Sequence, residues 1–270
     1  MQVSLGPYRL EFATEFGPRI TSLRWNDGPE LLARLGPETA IDHRGGTYRF
    51  HGGHRLWAAP EVPGITYAPD DHECRITQDD DGYELTAPPD AAGVRKELRV
   101  SLGDEGLVVD HRIEWSGGLA LAPWAITQFP LGGTAILPVL GEETAPLANR
   151  FLVLWPYTSL TDPRMTMAGD ALVVEAQGGD ALKLGSGPAP GRLGYLRDGH
   201  LFVKEVPAAD NGVPDFGAVG QLYVGQGFCE LESMGPVVDP SQSNHAHLKE
   251  VWRVTHCSDL PTARQLVTAP

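Results

Sequence analysis

The chain has 270 residues, with 35 acidic and 21 basic side chains, so its formal net charge is −14. This acidic balance, with no basic stripe in the sequence, argues against a nucleic-acid partner and disfavours an anionic membrane surface. No apolar run approaches the roughly 18 residues of a membrane-spanning helix, and the first residues lack the basic and apolar regions of a signal peptide.

Short strands dominate the predicted elements. Glycine and proline, with 32 and 23 residues, lie between short apolar runs, which is typical of a fold with many turns. Alternation of apolar and polar residues predicts strands along the whole chain. They are expected at 8–14, 20–25, 47–51, 74–78, 83–87, 94–102, 109–115, 119–129, 135–138, 151–154, 171–175, 181–184, 201–206, 221–224, 228–234 and 247–257.

Helices are predicted only at 29–35 and 261–267, and residues 185–194 are expected to form an exposed loop rich in glycine and proline. Strands and helices do not alternate, so a parallel α/β sheet is not expected. The sequence therefore predicts one all-β domain over residues 1–270, built from antiparallel strands with very few short helices.

Two glutamates stand two positions apart in the segment 227–236. On a strand, Glu230 and Glu232 would point to the same side, roughly 6–7 Å apart, together with the apolar Phe228 and Met234. Burial and like charge would raise the pKa of at least one carboxyl group, which suits a general base. The alternative is a solvated strand face with two surface glutamates. Both glutamates are candidate catalytic residues.

A second polar and aromatic segment occupies residues 48–61. Its paired glycines let the backbone approach a ligand closely, and its aromatic rings and polar groups suit the apolar faces and hydroxyls of a sugar. The alternative is a hairpin of ordinary strand residues. His51 and His54 are three positions apart without a third partner at matching spacing, so no metal site is predicted. The candidate binding residues are Arg49, Arg55, Trp57 and Glu61.

Further along the chain, three other groups are candidates for ligand contacts. Trp155 with Asp162 and Arg164 resembles the wall of a polyol site, and the alternative is an aromatic core edge with a surface ion pair. Two lysines that follow apolar strand residues could contact an anionic group, and a solvated lysine is the alternative for each. The last candidates are Lys183, Lys204 and Asp215.

Four segments together resemble the galactose mutarotase-like (aldose 1-epimerase-like) superfamily, and in particular a bacterial branch of uncharacterised function. The likeness spans most of the chain, and the Gly-Gly-His-Arg-Leu-Trp run that opens the second segment is fairly specific to this branch. The segments are 17–23 with 30–32, 52–61, 154–157 with 162–164, and 228–233 with 250–254.

The resemblance implies a β-supersandwich, in which large antiparallel sheets pack face to face and one concave side binds sugar. In aldose 1-epimerases a glutamate takes the proton of the anomeric hydroxyl, a histidine protonates the ring oxygen, and the ring opens and recloses. The position of that glutamate is most similar to Glu232. The histidine would fall near 124–131, where no histidine occurs. His54, from another strand, or a lysine would then supply the acid.

The leading hypothesis is a cytoplasmic carbohydrate-active protein that catalyses anomeric or related aldose isomerisation, with Glu232 as base and His54 as acid. Three cysteines without close spacing fit a reducing compartment. A non-catalytic carbohydrate-binding or sensing domain is the second hypothesis, and the missing histidine favours it. A lyase or cyclase acting on an oxygen-rich non-sugar metabolite is the third. The expected partner is a small carbohydrate, no cofactor is predicted, and the oligomeric state stays open.

Overall fold

Antiparallel strands make up most of the molecule. The computed structural model describes residues 1–139, 150–187, 191–206 and 212–269. Within these ranges the strands form two large sheets and one short ribbon, and all pairings are antiparallel. The predicted all-β class is confirmed.

The first large sheet has nine strands in the described residues. Its order in space differs from the order in the chain, because β6 and β11 stand between N-terminal and C-terminal strands. In spatial order it contains β1 (Gln2–Leu5), β2 (Tyr8–Phe12), β3 (Arg19–Trp25), β6 (His54–Ala59), β11 (Ala122–Phe129), β20 (Cys229–Met234), β19 (Gly220–Val224), β16 (Leu182–Ser186) and β13 (Val153–Leu154).

The second large sheet has ten strands over the same described ranges. In spatial order it contains β14 (Met165–Ala168), β15 (Ala171–Glu175), β12 (Thr134–Pro138), β17 (Gly191–Arg197), β18 (His200–Val206), β21 (His245–His256), β10 (Gly106–Trp115), β9 (Val94–Gly103), β8 (Gly82–Thr86) and β7 (Arg75–Gln78). The ribbon and the helices are short. They are β4 (Ala40–His43) with β5 (Gly46–Arg49), α1 (Pro63–Thr66), α2 (Pro214–Gly217) and α3 (Leu260–Thr268).

The two large sheets pack face to face around a shared hydrophobic core. Leu56 and Leu231 from the first sheet belong to the same cluster as Leu98 and Trp252 from the second. All residues of β6, β11 and β20 are buried, so these three strands are covered on both faces. None of the helices in the described part of the chain is long and apolar enough to cross a bilayer.

The helix predicted at 29–35 is wrong. These residues form no helix and run alongside neighbouring strands, which accept their backbone hydrogen bonds. Leu31 N–H donates to the carbonyl of Leu23, and Ala33 N–H donates to the carbonyl of Gln128. The segment therefore gains from the first sheet the hydrogen bonds that a helix would have formed internally.

The loop predicted at 185–194 is also wrong in its extent. Strand β16 continues to Ser186 and β17 begins at Gly191, because both pair with neighbouring strands of their own sheets. Residues 188–190 lie outside the described residues. The C-terminal helix predicted at 261–267 is confirmed by α3, whose N-cap Asp259 accepts a hydrogen bond from Thr262 N–H.

Candidate functional site

The central strands of the first sheet gather polar side chains on one face. Strand pairing sets Arg55 opposite Ile126, and Ile126 opposite Glu232. Because side chains alternate along a strand, every second residue of β6, β11 and β20 shares this side. We call this surface the carboxylate face. It comprises Arg55, Trp57, Trp124, Ile126, Gln128, Glu230, Glu232 and Met234.

Glu232 is almost fully buried on this face, with 1% of its surface exposed. Its Oε2 accepts hydrogen bonds from Trp124 Nε1 and from Lys183 Nζ, each at 2.8 Å. Burial raises the pKa of Glu232, the Lys183 ammonium opposes that shift, and Glu230 adds to it. Its Oε1 has no hydrogen-bond partner among the described residues, so this oxygen can accept a proton from a ligand.

Glu230 has its own cation. Its Oε1 accepts hydrogen bonds from Arg55 Nη2 at 2.8 Å and from Gln128 Nε2 at 2.9 Å. The guanidinium of Arg55 is fully buried, 4.1 Å from the ring centroid of Trp57 and 5.0 Å from that of Phe50. The two neighbouring carboxylates are therefore neutralised separately, one by arginine and one by lysine.

Aromatic rings hold the Lys183 ammonium in place. Its Nζ lies 4.5 Å from the ring centroid of Trp124 and 4.7 Å from that of Trp155. The segment after β13 is fixed to the same lysine, because Thr158 Oγ1 donates to the Lys183 carbonyl and accepts from its N–H, both at 2.8 Å. The contacts to both rings add cation–π attraction to the ion pair with Glu232.

Further aromatic side chains surround the carboxylate face. Trp57 packs edge-on against Trp124 with ring centroids 5.4 Å apart, and Phe50 meets Phe228 at 5.7 Å. Such rings can cover the apolar face of a sugar while carboxylates and amides bind its hydroxyls. The aromatic residues of the site are Phe50, Trp57, Tyr67, Trp124, Trp155, Tyr157, Tyr223 and Phe228.

Several buried polar atoms of this surface lack hydrogen-bond partners among the described residues. The donors are Arg55 Nε and Nη1 and Trp57 Nε1, and the acceptors are Gln128 Oε1 and Gln221 Oε1. Gln221 belongs to the set because it lies opposite Glu232 in the pairing of β19 with β20. Buried polar groups are normally satisfied, so this set is incomplete. Water or the hydroxyl groups of a ligand, which both donate and accept, would complete it.

Two tyrosines bring phenol groups to the site. Tyr67 packs edge-on against Trp57, and its hydroxyl donates to Glu61 Oε1. Burial and this hydrogen bond raise the pKa of Tyr67. Burial, and then the charge of Glu232, raise the pKa of Tyr157, whose surface is 51% exposed. Both phenols therefore keep their protons at neutral pH.

The side chains of His54, on β6, and Lys204, on β18 of the second sheet, lie behind the first sheet, on the side opposite the carboxylate face. Each side chain is completely buried between the two large sheets. The structure thus does not bring these two candidate site residues to the carboxylate face. We call their surroundings the inter-sheet face. It comprises His54, Thr127, Ala125, Leu231 and Ser233 from the first sheet, and His111, Lys204, Leu248, Glu250 and Trp252 from the second.

Lys204 uses all three of its protons on this inter-sheet face. Its Nζ donates to the carbonyls of Ala125 and Leu231, each at 3.1 Å, and to Thr127 Oγ1 at 3.2 Å. Glu250 Oε1 lies 2.9 Å from Nζ without the direction of a hydrogen bond, so it balances the charge of the ammonium. Lys204 therefore ties together β11, β18 and β20, the strands that carry these groups.

His54 completes a chain of hydrogen bonds in which both histidines are neutral. His111 Nδ1 lies 2.9 Å from the Leu248 carbonyl, which only accepts, so this nitrogen carries the proton. His111 Nε2 then accepts from His54 Nε2 at 2.7 Å, and His54 Nδ1 accepts from Thr127 Oγ1 at 2.9 Å. Burial lowers the pKa of both histidines, in agreement with neutral rings.

The inter-sheet face does not fit a metal ion. His54, His111 and Glu250 offer ligand atoms within 4.8 Å of one another. A metal, however, would need the imidazole lone pairs that already accept hydrogen bonds. It would also stand beside the Lys204 ammonium, whose charge repels a cation.

The other candidate residues make local contacts. Arg49 pairs with Asp71 at 2.7 Å, and both side chains are partly exposed. The guanidinium of Arg164 donates two hydrogen bonds to Asp162, at 2.9 and 2.6 Å, and its other two acceptors are backbone carbonyls. Asp215 differs, because its Oδ2 accepts from Gln221 Nε2 at 2.9 Å beside Glu232. The candidates brought together are Arg55, Trp57, Glu61, Trp155, Lys183, Asp215, Glu230 and Glu232.

Sequence reasoning missed the partners that β11 supplies. Trp124 and Gln128 bind the two carboxylates, and neither was a candidate site residue. Their spacing of four within an apolar strand puts them on one face, which is a readable signal. Only the pairing of β11 with β20 shows that this face is the one that carries Glu230 and Glu232.

Comparison with solved structures shows which fold this is. A putative aldose 1-epimerase from Escherichia coli K12 aligns with a TM-score of 0.54 and 15% identity over 94% of this chain and 98% of that one. A galactose mutarotase-like protein from Lactobacillus casei aligns with a TM-score of 0.53 and 12% identity over 94% of this chain and 99% of that one. A TPR-domain containing protein from Parabacteroides distasonis aligns with a TM-score of 0.61 and 14% identity over 97% of this chain but only 48% of that one.

No protein-family model matches the chain, and no curated protein matches it. At these identities the similarities show the fold alone, and that fold is the galactose mutarotase-like fold expected from the sequence.

Proposed function

We propose that this protein binds a small carbohydrate on the carboxylate face and catalyses anomeric exchange or a related aldose isomerisation, with Glu232 as general base. The observation that carries the proposal is the buried Glu232 carboxylate, held through one oxygen by Trp124 and Lys183 inside an aromatic surface. The desolvation of a buried ion pair offsets most of its attraction, so stability alone is a weak reason for this pair. This arrangement suits a base, because Lys183 opposes the effect of burial and favours the ionised carboxylate.

The chemistry follows from the position of the carboxylate. Glu232 takes the proton of the anomeric hydroxyl, the bond between the anomeric carbon and the ring oxygen breaks, and the ring oxygen takes a proton from an acid. Rotation of the resulting aldehyde and the reverse steps close the ring as the other anomer. The unpartnered donors and acceptors of Arg55, Trp57, Gln128 and Gln221 would bind the remaining hydroxyls.

The fold supports this choice of ligand. One of its structural neighbours is described as a putative aldose 1-epimerase and another as galactose mutarotase-like. The buried position of His54 argues against its use as the acid, since its ring nitrogens are engaged behind the sheet.

Carbohydrate binding without turnover is the second candidate function. It is favoured by one observation, that no histidine shares the carboxylate face within the described ranges. Under this alternative, the same aromatic and polar groups would hold a sugar and the ion pairs would only position hydroxyls.

The six tryptophans give a direct test through their indole N–H signals in ¹⁵N NMR spectra. Trp57, Trp124 and Trp155 surround the candidate site, whereas Trp25, Trp115 and Trp252 lie elsewhere and serve as internal controls. A panel of neutral aldoses, sugar phosphates and uronates is titrated into the protein, and anomer exchange is measured in the same samples. We expect a bound sugar to shift only the first three signals and its anomers to exchange faster.

The outcomes separate the candidate functions. Shifts confined to the site without faster exchange would favour the binding function. Shifts at none of the three site signals, with any member of the panel, would contradict a carbohydrate site on this face.

A further inference from the structure

The proposed reaction needs an acid for the ring oxygen, and this inference rests on that proposed function. We propose that Tyr157 is the catalytic acid of the site, taking the place of a histidine. It would donate its phenol proton to the ring oxygen while Glu232 removes the proton of the anomeric hydroxyl. Both oxygens are attached to the same carbon of an aldose, so acid and base must belong to one cluster.

Tyr157 stands on a segment that is fixed to the partner of the base. On one side of it, Trp155 covers the Lys183 ammonium, with its ring centroid 4.7 Å from Nζ. On the other side, Thr158 is bound to the backbone of Lys183 by two hydrogen bonds of 2.8 Å. The Nζ of that lysine donates to Glu232 at 2.8 Å. The segment therefore carries Tyr157 at the margin of the Glu232 site.

The hydroxyl of Tyr157 is available. Half of the residue's surface is exposed, and its hydroxyl makes no hydrogen bond to any residue that the structure describes. The two other phenols near the site are differently placed. The Tyr67 hydroxyl donates to Glu61, and Tyr223 stands opposite Glu230, not Glu232, in the pairing of β19 with β20.

The charges around Tyr157 keep its phenol protonated. Burial raises its pKa, and the nearby Glu232, Glu61 and Glu230 carboxylates add to the shift, so the phenol is protonated at neutral pH. A weak acid of this kind protonates an oxygen only as negative charge develops on it, which is the situation when the ring opens.

Each proton in the proposed cycle is returned. In ring opening, the anomeric hydroxyl proton moves to Glu232, the electron pair of the broken carbon–oxygen bond goes to the ring oxygen, and that oxygen takes the Tyr157 proton. In ring closure on the other face, the C5 hydroxyl gives its proton back to the Tyr157 phenolate. The carbonyl oxygen takes the proton from Glu232. No oxidant or further reactant is required.

The first test replaces the hydroxyl alone. Tyr157→Phe should lower kcat for anomer exchange by at least about 100-fold with KM almost unchanged. The fold should be preserved, because the hydroxyl has no partner to lose in the described structure. Tyr83→Phe, on strand β8 of the second sheet, is the matched control and should keep the wild-type rate. Loss of affinity with kcat intact would overturn the proposal by making Tyr157 a binding residue only.

The second test changes the acidity of the phenol. With 3,5-difluorotyrosine at position 157, a more acidic phenol, the alkaline limb of kcat should move to lower pH while the acid limb stays in place. An unmoved alkaline limb would overturn the proposal. If Tyr157→Phe keeps the exchange rate and Glu232→Gln loses it, Tyr157 is not the acid and the proposed function stands. If the wild type exchanges no anomers, both fail.

Discussion

The carboxylate face and the inter-sheet face lie on opposite sides of the same three strands, and both bury charged groups. On the inter-sheet face the protons of Lys204 and the nitrogens of His54 have partners. On the carboxylate face, the ion pairs of Glu230 and Glu232 lie among donors and acceptors that have none in the described residues.

This difference separates two uses of buried polarity. A largely satisfied network fixes the arrangement of strands, as on the inter-sheet face, where only Ser233 Oγ and Glu250 Oε1 lack a hydrogen-bond partner among the described residues. An unsatisfied one costs stability until something binds to it, and such a cost is typical of a functional surface. The two faces should therefore respond differently to the same kind of substitution.

The largest effect on stability is expected from Glu250→Gln. It removes the countercharge of Lys204, whose side chain is completely buried, and should lower the free energy of unfolding by about 3–5 kcal/mol. Urea denaturation measures the change. Glu205→Gln, next to Lys204 in the sequence, is the matched control. Its partners Arg192 and Arg253 are partly exposed, so it should lower the free energy of unfolding by about 1 kcal/mol or less. Equal losses would contradict the assigned difference in burial.

A smaller effect is expected from two matched tryptophan substitutions. Trp252→Phe removes an indole N–H that donates to Glu250 at 2.7 Å, whereas Trp57→Phe removes one without a partner in the described structure. Each substitution removes the same ring atoms, so Trp252→Phe should lower the free energy of unfolding by about 1.5–3 kcal/mol more than Trp57→Phe. Trp57→Phe should instead weaken sugar binding about two- to tenfold in calorimetry. Similar stability losses would show that Trp57 N–H is satisfied in the folded protein.

The smallest and most specific effect is a shift in the pH dependence. The base must be ionised, so activity falls as the pH drops through the folded-state pKa of Glu232. Lys183 holds that pKa down against burial, and Lys183→Met should therefore move the acid limb of kcat/KM to higher pH. Lys249→Met, at an exposed lysine of β21, is the control and should leave the limb in place. A limb that does not move in Lys183→Met would remove Glu232 as the titrating base.

Much of the fold could be predicted from the alternation of apolar residues. The strand predicted at 171–175 coincides with β15, and the one at 94–102 with all but the last residue of β9. The path of segment 29–35 could not be found this way, because it depends on a hydrogen bond to Gln128, on a strand distant in the chain. Strand β6 was also missed, because it is buried on both faces and opens with His54 and Arg55, which interrupt the apolar run typical of such a strand.

The candidate site could be predicted only as a set of residues. The spacing of Glu230 and Glu232 correctly placed them on one face, and Arg55 and Trp57 joined them. His54 stands beside Arg55 in the sequence, yet the alternation of β6 turns it to the opposite face. Period two within 54–57 already separates His54 from Arg55 and Trp57 in the sequence. Lys183 and Lys204 look alike in sequence, and only the different sheets of β16 and β18 separate them.

The most direct test of the central claim is the rate of anomer exchange in Glu232→Gln and in the wild type. The substrate is a sugar that shifts the indole signals of the site. The substitution removes the base and preserves the size of the side chain. The account predicts at least about a 100-fold loss of exchange rate, sugar affinity within a few-fold of the wild type, and unchanged signals of Trp25, Trp115 and Trp252. A variant that exchanges anomers at the full rate would contradict it.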